Sequence, residues 1–211
     1  MKNRLFVTEL FTSLQGESSL VGLPTTFIRL SGCNLRCSWC DSQYTFPKGT
    51  AYTIDELIEK VKEAKTNYVC VTGGEPLLQD GVYELMRKLA EAGYTVSCET
   101  NGSLPIGNID SRVRIILDIK CPGSGQAEKN MMGNLEILRP HDEVKFVIAN
   151  EADYKFAKGV VQKFKLANVL LSPAWGLLEA QTLADWIVQD RIPARLNLQL
   201  HKMLWGQKPG V

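Results

Sequence analysis

Short apolar runs alternate with amphipathic helical stretches along almost the whole chain, and this restricts the fold more than any other feature. Residues 26–30, 68–72, 95–98, 113–119, 143–148, 168–172 and 195–200 read as strands, preceded by 7–11. Most are apolar at consecutive positions. That is the pattern of strands buried on both faces, as in a parallel sheet covered by helices. Between them Thr53 and Glu56 form a capping box, and Leu57, Ile58, Val61 and Ala64 continue one apolar helical face. Val82, Leu85, Met86 and Leu89 repeat that spacing up to Gly93. Residues 131–138, 152–164 and 177–189 read as further helices, and 121–130 as a loose segment. A complete eight-fold (β/α) barrel needs about 250 residues, more than the 211 here. The prediction is a single α/β domain over 1–211. It is an open, incomplete (β/α) barrel with about six parallel strands, and ligands are expected at the strand C-terminal ends.

Cys33, Cys37 and Cys40 follow the second strand in a C-x3-C-x2-C spacing. Three thiolates this close on one loop suit three irons of a [4Fe–4S] cube. Such clusters usually take four cysteines, so the fourth iron stays open to another ligand. Gly32 permits close backbone approach, and Leu35 and Trp39 can shield the sulfurs from water. A zinc site would need a fourth ligand such as His141 or His201, both distant in sequence. A plain electron carrier would need a fourth cysteine. Cys70 and Cys98 sit in apolar runs and read as core, while Cys121 in a Gly-rich loop has no assigned role.

A formal net charge of +1 gives no electrostatic case for nucleic acid or an anionic membrane surface. No apolar run is long enough to span a bilayer. The start, Met1-Lys2-Asn3-Arg4, lacks a signal-peptide pattern. Clustered unpaired cysteines fit a reducing compartment, so a cytoplasmic location is expected.

Cys33, Cys37, Trp39 and Cys40 match C-x3-C-x-aromatic-C, and Gly73-Gly74-Glu75-Pro76 follows at a strand end. Together they resemble the radical S-adenosylmethionine (SAM) superfamily. That resemblance implies the same partial barrel, a cluster whose open iron binds SAM, and Gly74 at the SAM amino group. A second set of segments resembles the 7-carboxy-7-deazaguanine synthase family within it. These are Leu14-Gln15-Gly16-Glu17, Phe27-Ile28-Arg29-Leu30, Cys40-Asp41-Ser42 and the terminal His201-Lys202-Met203-Leu204-Trp205-Gly206. Two positions depart from the family pattern. Ser18 replaces a glycine, and Asp118-Ile119-Lys120 stands where many members have Ser-Pro-Lys.

The resemblance implies a pterin substrate, 6-carboxy-5,6,7,8-tetrahydropterin, and a 7-deazapurine product. Leu14, Gln15, Gly16, Arg29, Thr72, His201 and the terminal Val211 would bind the substrate. Gln15 offers both donor and acceptor to a guanine-like edge, and Arg29 can grip a carboxylate by two parallel hydrogen bonds. SAM would lie along Gly74, Asp118, Ile119, Lys120, Ser172, Pro173, Ala174 and Trp175. Ser42 takes the family's magnesium position, and Mg²⁺ favours oxygen ligands. A homodimer and a flavodoxin or ferredoxin donor are also implied. Without the resemblance, Arg29 reads as a salt-bridged strand residue, Gln15 as a turn residue and His201 as structural. Glu17 and Glu99 read as solvated carboxylates. No acid or base is assigned. A glycyl-radical-enzyme activase, acting on a protein partner, is the alternative enzyme.

Overall fold

The computed structural model describes residues 4–211, so Met1, Lys2 and Asn3 of the start discussed above lie outside it. One nine-stranded sheet runs through the described residues, with both edges open. Its parallel part has seven strands: β2 (Pro24–Leu30), β4 (Tyr68–Gly73), β5 (Thr95–Thr100), β6 (Arg114–Asp118), β7 (Glu143–Ile148), β8 (Val169–Pro173) and β9 (Ala194–Leu196). On the β2 side, β1 (Arg4–Leu14) pairs antiparallel with β2, and β3 (Thr50–Thr53) pairs antiparallel with β1. The incomplete barrel expected from the strand pattern is present. Among the described residues, no helix is long and apolar enough to cross a membrane.

Helices α1 (Ile54–Ala64), α2 (Gly81–Glu91), α3 (Glu151–Phe164) and α4 (Ala180–Asp190) cover the parallel strands. The capping box at α1 forms as the sequence suggests. Thr53 Oγ1 accepts from Glu56 N at 3.2 Å, and Glu56 returns a carboxylate oxygen to Thr53 N at 2.7 Å. The apolar faces of α1 and α2 bury Leu57, Val61, Val82, Leu85, Met86 and Leu89. Together with Ile28, Val71, Leu117 and Phe146 from the strands they form one core.

Four local expectations need correction. β3 was not foreseen; its four residues gain a ladder only from β1. Residues 121–130 are not loose. They form 3-10 turns at Pro122–Ser124 and Ala127–Lys129, with Cys121 and Ser124 fully buried. Asn130 braces them, exchanging both side-chain hydrogen bonds with the Lys120 backbone at 2.8 Å. The helix expected at 131–138 is a shorter 3-10 stretch, Met132–Glu136. The last strand stops at Leu196, because Asn197 turns inward. Its amide donates to Ser172 Oγ at 2.9 Å and accepts from Ser18 N at 3.0 Å. A short helix α5 (Leu200–Trp205) follows, its first residue bonded from Leu200 N to the Gly16 carbonyl at 2.9 Å. Ser18 keeps a left-handed backbone with φ of +69°, the conformation a glycine adopts most easily.

Candidate active site

β2 delivers the chain to the cysteine loop at the C-terminal edge of the sheet. The turn needs Gly32, whose φ is +88°, and it is pinned on both sides of the peptide. Gly32 N donates to the Thr45 carbonyl at 2.7 Å, and Glu75 N donates to the Gly32 carbonyl at 2.9 Å. Cys33, Cys37 and Cys40 are free and half-buried. Among the described residues, no three His, Cys, Asp or Glu side chains converge as ligands of a single ion. A four-iron cube spreads its thiolates over separate irons, so its ligands need not converge on one ion. Cys70, Cys98 and Cys121 are buried in the core and do not line the cavity beside the loop. A fourth cysteine ligand is therefore not at hand.

The surroundings fit a cluster. Leu35 is buried against the loop. Leu35 N lies 3.5 Å from Cys33 Sγ and Asn101 Nδ2 lies 3.8 Å from it, both donors of the kind that tune cluster sulfur. Trp39 lines the cavity, and its indole N–H is buried without a partner. Burial pushes the Cys37 and Cys40 thiols up; the Lys120 ammonium opposes this at both. A bound metal deprotonates such thiols outright.

Gly73-Gly74-Glu75-Pro76 packs directly on this loop. A Cβ at Gly74 would lie 2.3 Å from the Gly32 carbonyl oxygen and 2.7 Å from Cys33 Cβ, and one at Gly73 would lie 2.3 Å from the Leu30 carbonyl oxygen. Only bare backbone fits. Glu75 is fully buried and ties this turn to the end of β5. It accepts from Leu77 N at 2.9 Å, Thr100 Oγ1 at 2.9 Å and Asn101 N at 2.7 Å. Burial raises its pKa, and those hydrogen bonds only partly offset the rise.

A cavity of about 730 Å³ opens over the strand ends and runs from the three cysteines to the C-terminal segment. Its floor is a polar row set by sheet register. Glu9 is opposite Arg29 across β1 and β2, and Arg29 is opposite Thr72 across β2 and β4. Arg29 Nε donates to Glu9 Oε2 at 2.9 Å, and the Tyr44 hydroxyl donates to the same oxygen at 3.1 Å. Among the described residues, the two terminal guanidinium nitrogens of Arg29 have no partner. Burial drives the Tyr44 phenol up to about 12, against the pull of Arg29. Next in the row, Glu99 accepts from Thr72 Oγ1 at 3.1 Å and lies 3.5 Å from Gln15 Nε2. Gln15 is buried, and its side-chain Oε1 accepts from Glu17 N at 3.3 Å.

His201, on α5, lies against the Gly16 backbone. A Cβ at Gly16 would come within 1.9 Å of its Nδ1. Burial lowers the pKa of His201 and Glu17 opposes the shift, so a neutral ring is favoured. Beside it, four charges alternate. Glu17 pairs with Lys145 at 2.7 Å, Lys145 approaches Asp118 at 3.5 Å, and Lys120 pairs with Asp118 at 3.1 Å. Asp118 and Lys145 are register partners of β6 and β7, which puts them side by side. Burial works against ionisation of both carboxylates, but the Lys145 and Lys120 ammonium groups outweigh it and hold them below their ordinary values. Asp118 Oδ1 is buried without a partner.

Most residues singled out from sequence line this cavity, including Leu14, Ser42, Ala174, Trp175 and Val211. Ile119, Ser172 and Pro173 do not. Ile119 is in the core with its N–H on the Lys145 carbonyl at 2.9 Å, and Ser172 is buried on Asn197. Glu17 and Glu99 are not solvated charges, since both line the cavity in hydrogen-bonded networks. Arg29 is indeed salt-bridged, as its strand position alone suggests, yet it still faces the cavity. Lys145 was not foreseen. Its signal was a lone cation inside the apolar run Glu143–Ile148. Asp41 was also missed. It accepts from Ser42 Oγ at 2.8 Å and pairs with Lys202 at 2.5 Å. Partial burial opposes its ionisation, but the Lys202 ammonium prevails and holds it at about 2.

Residues 27–169 match the radical SAM superfamily model. The chain is 42% identical to the 7-carboxy-7-deazaguanine synthase of Koribacter versatilis, with 94% of this chain and 96% of the relative covered. It is 43% identical to that of Chlorobaculum tepidum, covering 96% and 94%. The chain belongs to the 7-carboxy-7-deazaguanine synthase family. Membership of this radical SAM family carries a [4Fe–4S] cluster and SAM as cofactors, a small-molecule substrate and an external reductant. Among solved structures, the fold is similar to QueE from Escherichia coli, with a TM-score of 0.73 at 22% identity over 94% of this chain and 95% of that one.

Proposed function

We propose that this chain catalyses the 7-carboxy-7-deazaguanine synthase reaction. That reaction is the ring contraction of 6-carboxy-5,6,7,8-tetrahydropterin to 7-carboxy-7-deazaguanine with loss of ammonia, a step of queuosine-type 7-deazapurine biosynthesis. The observation that carries it is one cavity that joins the three loop cysteines to the Arg29, Thr72, Glu99 and Gln15 row.

Cys33, Cys37 and Cys40 would hold the cluster, and the Gly73-Gly74 backbone would take the SAM amino group. Asp118, Lys120, Ala174 and Trp175 would flank the rest of SAM, with Ile119, Ser172 and Pro173 contributing backbone. The unpartnered Asp118 Oδ1 supports this, since a buried acceptor wants a donor. When bound, the cluster and SAM would supply hydrogen-abstraction chemistry through a 5′-deoxyadenosyl radical.

The protein groups bind and orient. Gln15 and the backbone of Leu14 and Gly16 face the guanine-like edge, with Thr72 and Glu99 beside them. Arg29 turns its two free nitrogens to the substrate carboxylate while Glu9 fixes its Nε. Val211 lines the far edge of the cavity, and His201 closes that side. Ser42 would join Mg²⁺ to substrate oxygens, and the neighbouring Asp41 supplies negative charge. Burial of the row excludes water from the reacting carbon.

The chain acts as one domain over 1–211, as a homodimer in the cytoplasm, with a flavodoxin or ferredoxin as electron donor. The test is an anaerobic assay of the iron-reconstituted protein with SAM, a reductant and the pterin. Product formed without stoichiometric loss of SAM supports the proposal. Cleavage of SAM with the pterin untouched refutes the substrate, and favours an activase acting on a protein.

A further inference from the structure

The span between Cys37 and Cys40 is held from outside the cysteine loop. Ser38 N donates to the Ser124 carbonyl at 3.0 Å, and Ser38 Oγ donates to the Gly123 carbonyl at 2.7 Å. The Pro122–Ser124 turn that accepts both bonds is itself anchored twice. Ser124 Oγ donates to the Cys121 carbonyl at 2.7 Å, and Gly123 N donates to Asp153 Oδ1 at 2.7 Å. Asp153 lies in the first turn of α3 and is 0% exposed. Its other oxygen accepts from Ala149 N at 3.0 Å.

A buried carboxylate is costly unless its oxygens are satisfied. Among the described residues, no cation pairs with Asp153, so backbone N–H groups and the α3 N-terminus carry that load. The helix does not need this charge for its cap. Asn150 already caps it, accepting from Asp153 N at 3.0 Å. The fit to Gly123 is tight. A Cβ at position 123 would stand 2.5 Å from Asp153 Oδ2, so only glycine lets the carboxylate close on that backbone. Asp153 does not line the cavity.

We propose that Asp153 is a positioning residue for the cluster, acting through Gly123 and Ser38 to set where the Cys37–Cys40 span lies. It thereby governs iron retention and the reduction potential while touching neither the cysteines nor any ligand. The proposal rests on the reading of Cys33, Cys37 and Cys40 as cluster ligands.

The test compares Asp153→Asn with Asn150→Ala in the reconstituted full chain. The first variant replaces one of two acceptors by a donor. The second weakens the same helix start at the Asp153 backbone but leaves the carboxylate contacts to Gly123 and Ala149 in place. Iron release to a chelator, the cluster midpoint potential and the thermal midpoint are read for each. Asp153→Asn is expected to release iron roughly 10-fold faster, the size of effect seen when groups supporting metal ligands are lost. Its potential is expected to shift. Asn150→Ala is expected to lower the thermal midpoint and keep the parent's iron retention and potential. Parent-like retention and potential in Asp153→Asn would overturn the proposal. So would losses in both variants that simply follow the thermal midpoint. If Asp153→Asn does not fold, Ser38→Ala removes only the exposed hydroxyl link. It must then change iron release in the same direction, and an unchanged rate and potential overturn the idea. Failure of the parent itself to take up iron strikes the cluster reading, and this proposal with it.

Discussion

The two walls of the cavity are built on different principles. The cysteine wall is held by backbone groups, by Gly73 and Gly74, which leave no room for a side chain, and by the left-handed turn at Gly32. A second wall, which reaches the cysteine loop where Lys120 lies over the Trp39 ring, is held by alternating buried charges, Glu17, Lys145, Asp118 and Lys120. The first arrangement fixes position sterically. The second fixes position electrostatically, so each charge depends on its neighbours. Steric walls fail abruptly when atoms are added. Electrostatic walls fail when one partner is removed and the others remain buried.

The largest effect is expected at the steric wall. Gly74→Ala places a methyl 2.3 Å from the Gly32 carbonyl oxygen, against backbone that cannot yield cheaply. Reconstituted iron content and SAM binding should both collapse; a variant that loads iron and SAM like the parent would show that the wall is not steric.

Next is Lys145→Met, which strands Glu17 and leaves Asp118 with Lys120 alone. Breaking one partner out of a buried ion cluster costs about 3–5 kcal/mol, measurable by denaturant unfolding. The pH dependence should invert. In the parent, Glu17 is held below its ordinary value of 4.5, so its contribution is present above that value and is lost as pH falls through the lower folded value. In the variant the burial penalty dominates and the folded pKa rises. Stability should then fall as pH climbs past the ordinary value. Parallel pH profiles for the two proteins would refute the charge-wall description.

A smaller effect is expected where the walls meet the substrate side. Gly16→Ala pushes on His201, a side chain able to move, and should raise the pterin KM by about 10-fold, or 1.4 kcal/mol, with iron content unchanged. Smallest, and away from both walls, Thr53→Ala removes the α1 cap. It should cost about 1 kcal/mol of stability and leave turnover intact. A change in KM there would mean that α1 and the cavity are coupled.

Much of the site was legible because its signals are local. The Gly-Gly-Glu-Pro turn and the Thr53–Glu56 capping box each span a few residues and formed where expected, and the three closely spaced cysteines line one cavity. Legibility failed where a partner comes from far along the chain. Glu17 and Glu99 look like loop-end carboxylates until sheet pairing brings Lys145 and Thr72 beside them. Residues 121–130 look unstructured because their supports, Asp153 and Ser38, are distant in sequence. The expected last strand failed for the same reason, since Asn197 turns inward to reach Ser18 and Ser172.

By itself, then, the sequence determined the strand and helix alternation, the open barrel and the three-cysteine loop. Periodicity and short spacings act within one or two turns of chain, where no other element has a vote. Only the tertiary structure decided which charges share a wall. Asp118 meets Lys145 because β6 and β7 pair in one register, and Arg29 meets Glu9 and Thr72 because β1, β2 and β4 do. Register is chosen by the packing of the whole sheet, and a slip by one residue would turn every one of these side chains to the opposite face.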